Sequence, residues 1–411
     1  MKLISEFLKV IYERGFVHQV TDIENLDNIL VKKSSAAYIG FDCTAPSLHV
    51  GSLIQIMMLR WFQKTGNKPI ILVGGGTTKI GDPSGKDTAR PILSTEIINK
   101  NKFDIKKVFK NFINFNDQPN GAVMIDNETW LDSINYISFL REFGSAFSIN
   151  KMLSLESIKT RLEREQNLSF LEFNYPIFQA YDFLKLNEKF DCILQMGGSD
   201  QWGNIVNGVE LIRKKTTNQV FGLTSPLLTS SSGSKMGKSE KGAIWLDNKM
   251  LSDYDFWQFW RNTEDDDVIK FLKLFTELDL VKIKELEKLK GSKINEAKII
   301  LANEVTKLCR GKEAASQSYQ TAFDTFSNSK LNENLPILKI DKDSITIVDA
   351  LKLLNFCKSN GEGRRLIKGK GIKLNDKLVV DENLVILKKE IKNKKTKVSV
   401  GKKRHALIFF S

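Results

Sequence analysis

Short apolar runs bounded by glycine or polar residues recur along the first half of the chain. They occur at 36–41, 69–73, 122–125 and 191–196, and less clearly at 226–229. Segments with apolar residues at helical spacing lie between these runs. Short buried strands that alternate with helices predict a doubly wound parallel sheet, whose ligands bind outside the carboxyl ends of the strands.

Four of these predicted strands are followed directly by small or polar residues. The stretches are GFDCT from residue 40, GGGTTKIGDPSG from 74, DNETW from 126 and GGSDQWGN from 197. Because the carboxyl ends of parallel strands meet at one edge of a sheet, we expect these stretches to converge on a single crevice.

His49 is one of only three histidines in the chain. It lies at or near the start of a helix predicted from Leu53, where unpaired backbone N–H groups and the helix dipole favour bound anions such as phosphates. A packed histidine in a capped first turn explains this stretch equally well when it is taken alone.

The pattern changes after residue 250. From about 250 to 325 the apolar residues stand at helical spacing without a strand signal, which predicts a small helical domain. The polar segment that follows contains a proline, as linkers do, and the last segment predicts two short helices, a glycine-marked turn and strands. The expected domains are 1–230, an α/β catalytic domain with an insertion near 130–165; 231–326, a lysine loop and the helical domain; 327–344, a linker; and 345–411, an α+β module.

Composition narrows the class of protein. The 411 residues correspond to about two to three domains. The N-terminus lacks the apolar core of a signal peptide, and no run of about 18 apolar residues indicates a membrane span. The four cysteines are far apart with no paired spacing. This spacing argues against a disulfide framework and a zinc site, and it predicts a cytoplasmic protein without a membrane segment or a bound metal of its own.

The positive charge is concentrated at the C-terminal end. Residues 345–411 hold 17 Lys and Arg against 6 Asp and Glu, which accounts for most of the net charge of +13. Such asymmetry is typical of a module that binds a polyanion, since each phosphate contact releases condensed counterions. A solvated lysine face is the alternative.

Two glycine-containing loops carry the candidate chemistry. The first, GGGTTKIGDPSGK at 74–86, has only three residues between Gly81 and Gly85 and therefore does not match a P-loop. The Rossmann dinucleotide fingerprint is absent too. The second loop contains Lys235 and Lys238 among glycines and serines, so it can bring two positive charges onto a leaving phosphate chain. A flexible surface loop explains this segment equally well when it is taken alone.

Taken together, these motifs carry a family resemblance. HVGS at 49–52 and KMGKS at 235–239 look like the two signature motifs of class I aminoacyl-tRNA synthetases. The strings YIGFDCTAPSLHVG, GGGTTKIGDPSGK, FNYPIFQAYDFLKL and MGGSDQWGN resemble the bacterial-type tyrosyl-tRNA synthetases, over essentially the whole chain. Two departures are Ser52, where many class I members carry a second histidine, and Gly237, where a serine is usual.

The resemblance implies a tyrosine–tRNA ligase with a Rossmann-like catalytic domain, which uses L-tyrosine, ATP and tRNA(Tyr). Positions 175, 179 and 182 share one helical face by their spacing, which independently suits a small polar ligand. For tyrosine, the resemblance places Tyr38 and Asp182 on the phenolic hydroxyl, Tyr175, Gln179 and Asp82 on the ammonium group, and Gln195 and Gln201 nearby.

The resemblance also implies the groups that bind ATP and RNA. Tyrosine attacks the α-phosphate in line, so catalysis rests on positioning and charge stabilisation, and Mg²⁺ arrives with ATP, held mainly by the phosphates. The implied catalytic residues are Thr44, His49, Lys86, Arg90, Lys235 and Lys238; the implied ATP-binding residues are Gly40, Asp42, His49, Gly51, Gly198, Asp200, Lys235, Lys238 and Ser239; and the tail resembles the RNA-binding module of ribosomal small-subunit protein four, with Arg364, Arg365, Lys368 and Lys370 facing phosphates.

The family acts as a homodimer, for which segment 130–165 is the expected interface. Two alternatives stay open at this point. A tryptophanyl-tRNA synthetase would leave Tyr38 and Asp182 without a phenolic partner, and a non-catalytic RNA-binding protein would not need His49 and the two lysines.

Overall fold

The computed structural model describes residues 2–84, 93–231, 233, 236–239, 242–327, 335–391, 395–401 and 404–410, without the side chains of 238–239 and 325–327. The chain divides into two compact units. The first comprises Met1–Gly237 and Asp266–Lys288, and the second comprises Lys238–Asp265 and Leu289–Ser411.

The first unit is built on a six-stranded sheet, as the alternation of apolar runs and helices predicts. Five neighbouring strands are parallel, and a short antiparallel strand lies at one edge. The central strands are almost fully buried, which explains their continuous apolar sequence. In the spatial order β1-β6-β5-β2-β3-β4, the strands are β1 Gln19–Val20, β6 Phe221–Ser225, β5 Cys192–Gly198, β2 Ala36–Asp42, β3 Lys68–Gly74 and β4 Val123–Asp126.

The strand predicted at 226–229 is wrong. The structure places β6 at Phe221–Ser225, and all five of its residues are buried. This strand contains Gly222, Thr224 and Ser225, which hide the apolar signal that the other strands show. Gly222 is required because a Cβ there would lie 2.3 Å from Ile205 Cγ2.

Helices connect the strands and cover the sheet. The long helix α10, Phe170–Phe190, begins with a capping box between Ser169 and Glu172, which satisfies backbone donors of its first turn. The helices of this unit are α1 Glu6–Arg14, α2 Ile23–Lys32, α3 Leu53–Lys64, α4 Gly75–Thr78, α5 Thr95–Phe109, α6 Glu128–Leu131, α7 Tyr136–Phe143, α8 Ile149–Leu153, α9 Glu156–Glu163, α10 Phe170–Phe190, α11 Trp202–Lys215, α13 Val268–Phe275 and α14 Leu280–Leu286.

One segment predicted in the helical domain belongs instead to the first unit. Residues 266–288, with α13 and α14, pack there because their carbonyls accept bonds from a buried arginine: Arg14 donates to the Thr276 carbonyl at 3.1 Å and to the Leu278 carbonyl at 2.7 Å. Arg60 adds an ion pair with Glu277 at 2.7 Å. Single-helix periodicity carries no information about such long-range contacts.

The second unit contains three helices and a C-terminal α+β module. Strand β9 lies inside the range predicted as linker, because it pairs in parallel with the last strand of the module. The elements are β7 Lys238–Ser239, β8 Gly242–Ala243, α12 Asp253–Arg261, α15 Ile294–Arg310, α16 Lys312–Ser327, β9 Ile337–Ile340, β10 Ser344–Thr346, α17 Ile347–Leu353, α18 Asn360–Lys368, β11 Ile372–Leu374, β12 Lys377–Leu378, β13 Val385–Leu387, β14 Lys395–Val400 and β15 Arg404–Phe410.

Five strands of this module form one sheet, in the order β12-β11-β14-β15-β9. Its core includes the buried residues Ile347, Leu351, Ile372, Val398 and Ile408. Across the part of the chain that the structure describes, no helix combines the length and apolar character needed to cross a lipid bilayer.

Candidate active site

The polar stretches that follow neighbouring strands meet at the carboxyl edge of the first sheet, which confirms the expected convergence. Each stretch supplies donors or acceptors to the next, so the strand ends are linked by hydrogen bonds. The bonds that join them are Thr77 Oγ1 to Asp42 Oδ1 at 3.2 Å, the Gly75 N–H to Asp126 Oδ1 at 3.1 Å, the Gly76 N–H to Asn127 Oδ1 at 2.9 Å and Gln201 Nε2 to Asp82 Oδ2 at 2.8 Å.

The glycines at 74–76 are explained by the close approach of carboxylates. A Cβ on Gly74 would lie 2.6 Å from Asp42 Oδ1, and one on Gly75 would lie 2.3 Å from Asp126 Oδ1. No other residue fits at either position without displacing a carboxylate. These glycines therefore let the ends of β2, β3 and β4 pack closely together.

Tyr38 in β2 and Asp182 in α10 are buried within the crevice. Only 1% of Tyr38 and 2% of Asp182 is exposed. The Tyr38 ring packs against Phe183, with ring centroids 5.4 Å apart. Among the described residues, the Tyr38 hydroxyl has no hydrogen-bond partner. A buried hydroxyl of this kind costs free energy, which marks a position where a polar ligand atom is favoured.

Both carboxyl oxygens of Asp182 already accept a hydrogen bond. Asn127 Nδ2 donates to Oδ2 at 2.9 Å, and Trp130 Nε1 donates to Oδ1 at 2.7 Å. Sequence reasoning assigned neither donor to the site. The available signal was the polar stretch DNETW directly after β4, but its pairing with a helix more than fifty residues away needed the fold.

These surroundings set the pKa of Asp182. Burial raises this pKa from its ordinary value to about 7, although the hydrogen bonds from Asn127 and Trp130 lower it. The charges of Asp42 and Asp126 raise it further. Burial, followed by the charge of Asp182, raises the pKa of the Tyr38 hydroxyl well above its usual range, so this hydroxyl is a protonated donor.

A second polar network lies around Asp82. Gln201 Nε2 donates to Asp82 Oδ2 at 2.8 Å. Asn204 Nδ2 donates to Gln179 Oε1 at 3.1 Å and to Gln201 Oε1 at 3.2 Å. The structure thus brings three predicted residues together through Asn204, which sequence reasoning missed. The Tyr175 hydroxyl donates to Asp42 Oδ1 at 3.4 Å.

Gln195 lies in β5 and is 2% exposed. Its Oε1 has no hydrogen-bond partner among the described residues. A buried amide oxygen in this condition is a further acceptor available to a ligand.

His49 caps the short turn at Val50–Ser52 that leads into α3, as the sequence predicts. The Gly51 N–H donates to His49 Nδ1 at 2.9 Å. Since Nδ1 accepts this bond, the neutral ring carries its hydrogen on Nε2, which makes Nε2 a donor. A Cβ on Gly51 would lie 2.5 Å from His49 Cε1, so only glycine allows this ring position.

The other described residues predicted to bind ATP lie in strands, at strand ends or in solvent-exposed segments that follow the strands. Gly40 in β2 is exposed, and nothing lies within 4 Å of its missing Cβ. Gly198 ends β5, and a Cβ there would lie 2.5 Å from Asp200 Oδ1. Thr44 and Asp200 are both exposed to solvent.

Several predicted catalytic residues fall outside the described part of the chain. They are Lys86, Arg90 and Lys235, together with the side chain of Lys238; the side chain of Ser239, a predicted ATP-binding residue, lies outside it too. Their roles stay predictions from the sequence.

The predicted RNA-binding residues lie on and just after α18, where all four are exposed. Lys368 pairs with Glu382 at 3.2 Å, and the others leave their charge at the surface. A cleft of about 1500 Å³ in the same module is lined by further basic residues, which include Lys339, Lys342, Lys352 and Arg404.

Comparisons with known proteins place this arrangement in a family. The model of class I tRNA synthetases for tryptophan and tyrosine matches residues 31–327. The tyrosine–tRNA ligase of Pelagibacter ubique is 54% identical over 406 residues, which cover 98% of each chain. The tyrosine–tRNA ligase of Brucella abortus is 53% identical over 409 residues, again 98% of each chain.

Solved structures show the same fold. A C-terminally truncated mitochondrial tyrosyl-tRNA synthetase of Aspergillus nidulans aligns with a TM-score of 0.71 at 31% identity, over 78% of this chain and 94% of that chain. An archaeal tyrosyl-tRNA synthetase of Archaeoglobus fulgidus, complexed with L-tyrosine, has a TM-score of 0.56 at 18% identity, over 76% of this chain and 99% of that chain, and shares the fold. With the family match over most of its length and relatives more than half identical to it from end to end, the chain belongs to the class I tRNA synthetases of the tryptophan and tyrosine family.

Proposed function

We propose that the chain is a tyrosine–tRNA ligase, which converts L-tyrosine and ATP to tyrosyl-adenylate and pyrophosphate and then transfers the tyrosyl group to the 3′ end of tRNA(Tyr). The observation that carries this proposal is the buried pair of Tyr38 and Asp182. A phenolic hydroxyl both donates and accepts, so it donates to the Asp182 carboxylate and accepts from the Tyr38 hydroxyl. The name shared by the full-length relatives, tyrosine–tRNA ligase, supports the same substrate.

Tryptophan fits this pair less well. An indole N–H is only a donor, so it would satisfy Asp182 but leave the Tyr38 hydroxyl buried without an acceptor. Phenylalanine would leave the Tyr38 hydroxyl without an acceptor and would give Asp182 no donor beyond Asn127 and Trp130, so neither buried group gains a bond from the substrate. The pair therefore favours a phenol over either competitor.

The polar network around Asp82 suits the ammonium group of the amino acid. Asp82 is 6% exposed and supplies a buried negative charge, while Gln179 and Tyr175 offer oxygen atoms from α10. The substrate ammonium group adds a positive charge and N–H donors beside this carboxylate, and such charge-assisted hydrogen bonds are stronger than neutral ones. Gln201 belongs to the Asp82 network, and Gln195 lies in β5; both add polar contacts.

The reaction with ATP needs no protein nucleophile. The tyrosine carboxylate attacks the α-phosphate in line, and the protein stabilises charge on the leaving oxygens. His49 donates from Nε2 to the phosphates, and Thr44 joins it there. Asp200 and the backbone near Gly198 bind the ribose, and Gly40, Asp42 and Gly51 are further ATP-binding residues. The family resemblance assigns Lys235, Lys238 and Ser239 to the departing pyrophosphate, with additional positive charge from Lys86 and Arg90.

Mg²⁺ enters as part of the MgATP substrate. This ion prefers phosphate oxygens and water, with few protein carboxylates, so the phosphates hold most of its coordination sphere. It screens phosphate charge during the attack.

The exposed cations of the C-terminal module bind tRNA. Arg364, Arg365, Lys368 and Lys370 project from one helix and the turn after it, where they contact phosphates and read RNA shape.

A second copy of the chain covers the insertion between β4 and α10. Large apolar side chains on this segment are exposed although they stand in regular helices, and such a patch marks a protein interface. They include Tyr136, Ile137, Ile149 and Leu162, which are between 48% and 71% exposed. We place the homodimer in the cytoplasm, because none of the four cysteines forms a disulfide and all four are buried.

Amino-acid-dependent exchange of labelled pyrophosphate into ATP tests the function. Exchange that depends on tyrosine, and not on tryptophan or phenylalanine at equal concentration, is the expected result. Exchange with tryptophan alone would transfer the proposal to the other substrate of the family. No exchange with any amino acid, by a protein that still binds tRNA, would indicate a non-catalytic RNA-binding protein.

A further inference from the structure

The turn after β4 has charged residues on one side and site residues on the other. Asp126 and Glu128 both accept bonds from the ammonium group of Lys102, which reaches them from α5. Between them, Asn127 is 1% exposed and donates to Asp182. The same turn leads into α6, which carries the second donor, Trp130.

Lys102 differs from its neighbours on the same helix. Its side chain is 18% exposed, and its Nζ lies 2.7 Å from Asp126 Oδ2. Lys107, by contrast, is 49% exposed and pairs with Asp104 on its own helix. Holding an ammonium group in a largely covered position is costly unless its bonds are well made. The position of Lys102 is therefore specific, since one cation joins two carboxylates on either side of a site residue.

The carboxylates are themselves fixed to the backbone. Asp126 Oδ1 accepts from the Gly75 N–H at 3.1 Å and from the Glu128 N–H at 3.0 Å. Lys79 adds a second cation, which donates to Glu128 Oε1 at 2.9 Å. The hydrogen bonds from Lys102 and Lys79 hold the pKa of Glu128 down at about 2, so it carries its charge at neutral pH.

Asn127 is held just as firmly on the inner side of the turn. Its Oδ1 accepts from the Gly76 N–H at 2.9 Å, and its Nδ2 donates to Thr77 Oγ1 at 3.1 Å as well as to Asp182. Its own N–H donates to the Val73 carbonyl at 3.0 Å. The outer ion pairs and the inner hydrogen bonds therefore fix one short turn from both sides.

We propose that Lys102 is a positioning residue for tyrosine selection: by joining Asp126 to Glu128, it holds the turn that presents Asn127 and Trp130 to Asp182. This role rests on the proposed function, in which Asp182 receives the phenolic hydroxyl. Lys102 touches no substrate in this role and acts only through the turn.

The charge of Lys102 has a second effect through Asp126. Asp126 is one of the two carboxylates whose charge raises the pKa of Asp182, and the Lys102 ammonium group compensates it. Removing this cation leaves Asp126 uncompensated and disfavours the ionised Asp182. Among the described residues, the titratable and charged groups around Asp182 are Tyr38 and Asp42 from β2 and Asp126 from the end of β4. Cys192 from β5 acts on Tyr38, and Lys102 and Glu128 lie behind Asp126.

Four variants of the full chain test this role by pyrophosphate exchange with tyrosine and with phenylalanine across a range of pH. Lys102→Met should lower kcat/KM for tyrosine roughly tenfold, as is typical when a member of a coupled network is removed, and should narrow the ratio of tyrosine to phenylalanine. It should also move the acid limb of the pH profile to higher pH. Lys102→Arg should restore much of the loss, and Lys107→Met, the matched control on α5, should behave as the parent.

The fourth variant, Asp126→Asn, distinguishes an effect of charge on Asp182 from a general loss of protein stability. It removes a negative charge near Asp182, so the acid limb should move to lower pH, opposite to Lys102→Met. The proposal would be overturned if Lys102→Met and Asp126→Asn lowered kcat/KM equally for tyrosine and phenylalanine and left the acid limb of the pH profile unmoved. Such a result would show that the network only supports the fold. A Lys102→Met enzyme with the ratio and pH profile of the parent would overturn the proposal too. If the parent itself lacks tyrosine-dependent exchange, the proposed function fails first, and the role of Lys102 fails with it.

Discussion

Replacing Tyr38 with phenylalanine should stabilise the ligand-free protein while it weakens tyrosine selection. The Tyr38 hydroxyl is buried, and no described residue bonds to it. In the free protein it carries a desolvation cost that no hydrogen bond from a described residue offsets. Under the proposed function, the same hydroxyl donates to the phenol of bound tyrosine, so the cost is recovered only in the complex.

The magnitudes of the two effects follow from the same atom. An unsatisfied buried polar group costs about 1–3 kcal/mol, which Tyr38→Phe relieves in the free state. For a domain of this size, each kcal/mol corresponds to a rise in Tm of roughly 2–4 °C. The lost neutral hydrogen bond to tyrosine is worth about 0.5–1.5 kcal/mol, or roughly a 2- to 10-fold fall in kcat/KM. Phenylalanine, which offers no hydroxyl, should be activated as before or slightly better.

The assay combines thermal unfolding without ligands and pyrophosphate exchange with both amino acids. Tyr254→Phe is the matched control: this tyrosine is 4% exposed, but its hydroxyl accepts from Gln258 Nε2 at 2.9 Å. Its removal should therefore lower Tm and leave amino-acid selection unchanged. A Tyr38→Phe protein with a lower Tm and an unchanged ratio of tyrosine to phenylalanine would refute the assignment of this hydroxyl to the substrate.

Other perturbations test other parts of the site. Trp130→Phe removes a donor to a buried carboxylate, so the activation barrier for tyrosine should rise by about 1.5–3 kcal/mol, with a corresponding fall in kcat/KM. The same exchange assay measures this fall, and the activation of phenylalanine should change little. Lys238→Ala should slow adenylate formation in single-turnover experiments, by about 3 kcal/mol if it contacts the developing charge, with tyrosine affinity kept. The pair Arg364→Ser and Arg365→Ser should raise the KM for tRNA and flatten its dependence on salt concentration, with pyrophosphate exchange intact. The pKa of Asp182, raised by burial to about 7, predicts that kcat/KM for tyrosine falls as the pH falls through about 7. Because the pKa of Asp182 is raised in the folded protein, its protonated form adds to the free energy of unfolding at pH values below the ordinary aspartate pKa. This contribution is lost as the pH rises through about 7. Unfolding of the parent and of an Asp182→Asn variant, measured across this pH range, tests the loss.

Local patterns in the sequence were enough to predict the architecture of the catalytic unit. Continuous apolar runs identified β2, β3, β4 and β5. In β2, β3 and β5 nearly every residue is buried, and strands buried on both faces need apolar residues at successive positions. Helical spacing placed Tyr175, Gln179 and Asp182 on one face of α10, since a helix repeats every 3.6 residues. The order of the strands in a parallel sheet then predicted that their polar ends would meet.

The same local patterns misplaced what depends on tertiary packing. β6 was predicted a few residues too late because two buried polar residues and a glycine interrupt its apolar signal. Residues 266–288 joined the first unit because Arg14 bonds to their carbonyls, a contact that spans some 260 residues of chain.

The sequence by itself determined which side chains could form hydrogen bonds to a phenol, and the tertiary structure decided which neighbouring residues position those side chains. Asn127 and Trp130 lie 55 and 52 positions from Asp182, and they meet it only because β4 and α10 pack on the same sheet. The pairing of Lys102 with Asp126 and Glu128 depends likewise on where α5 crosses the end of β4. Periodicity along a chain records which side of an element is buried, whereas the partner on that side is set by the register and packing of elements distant in sequence.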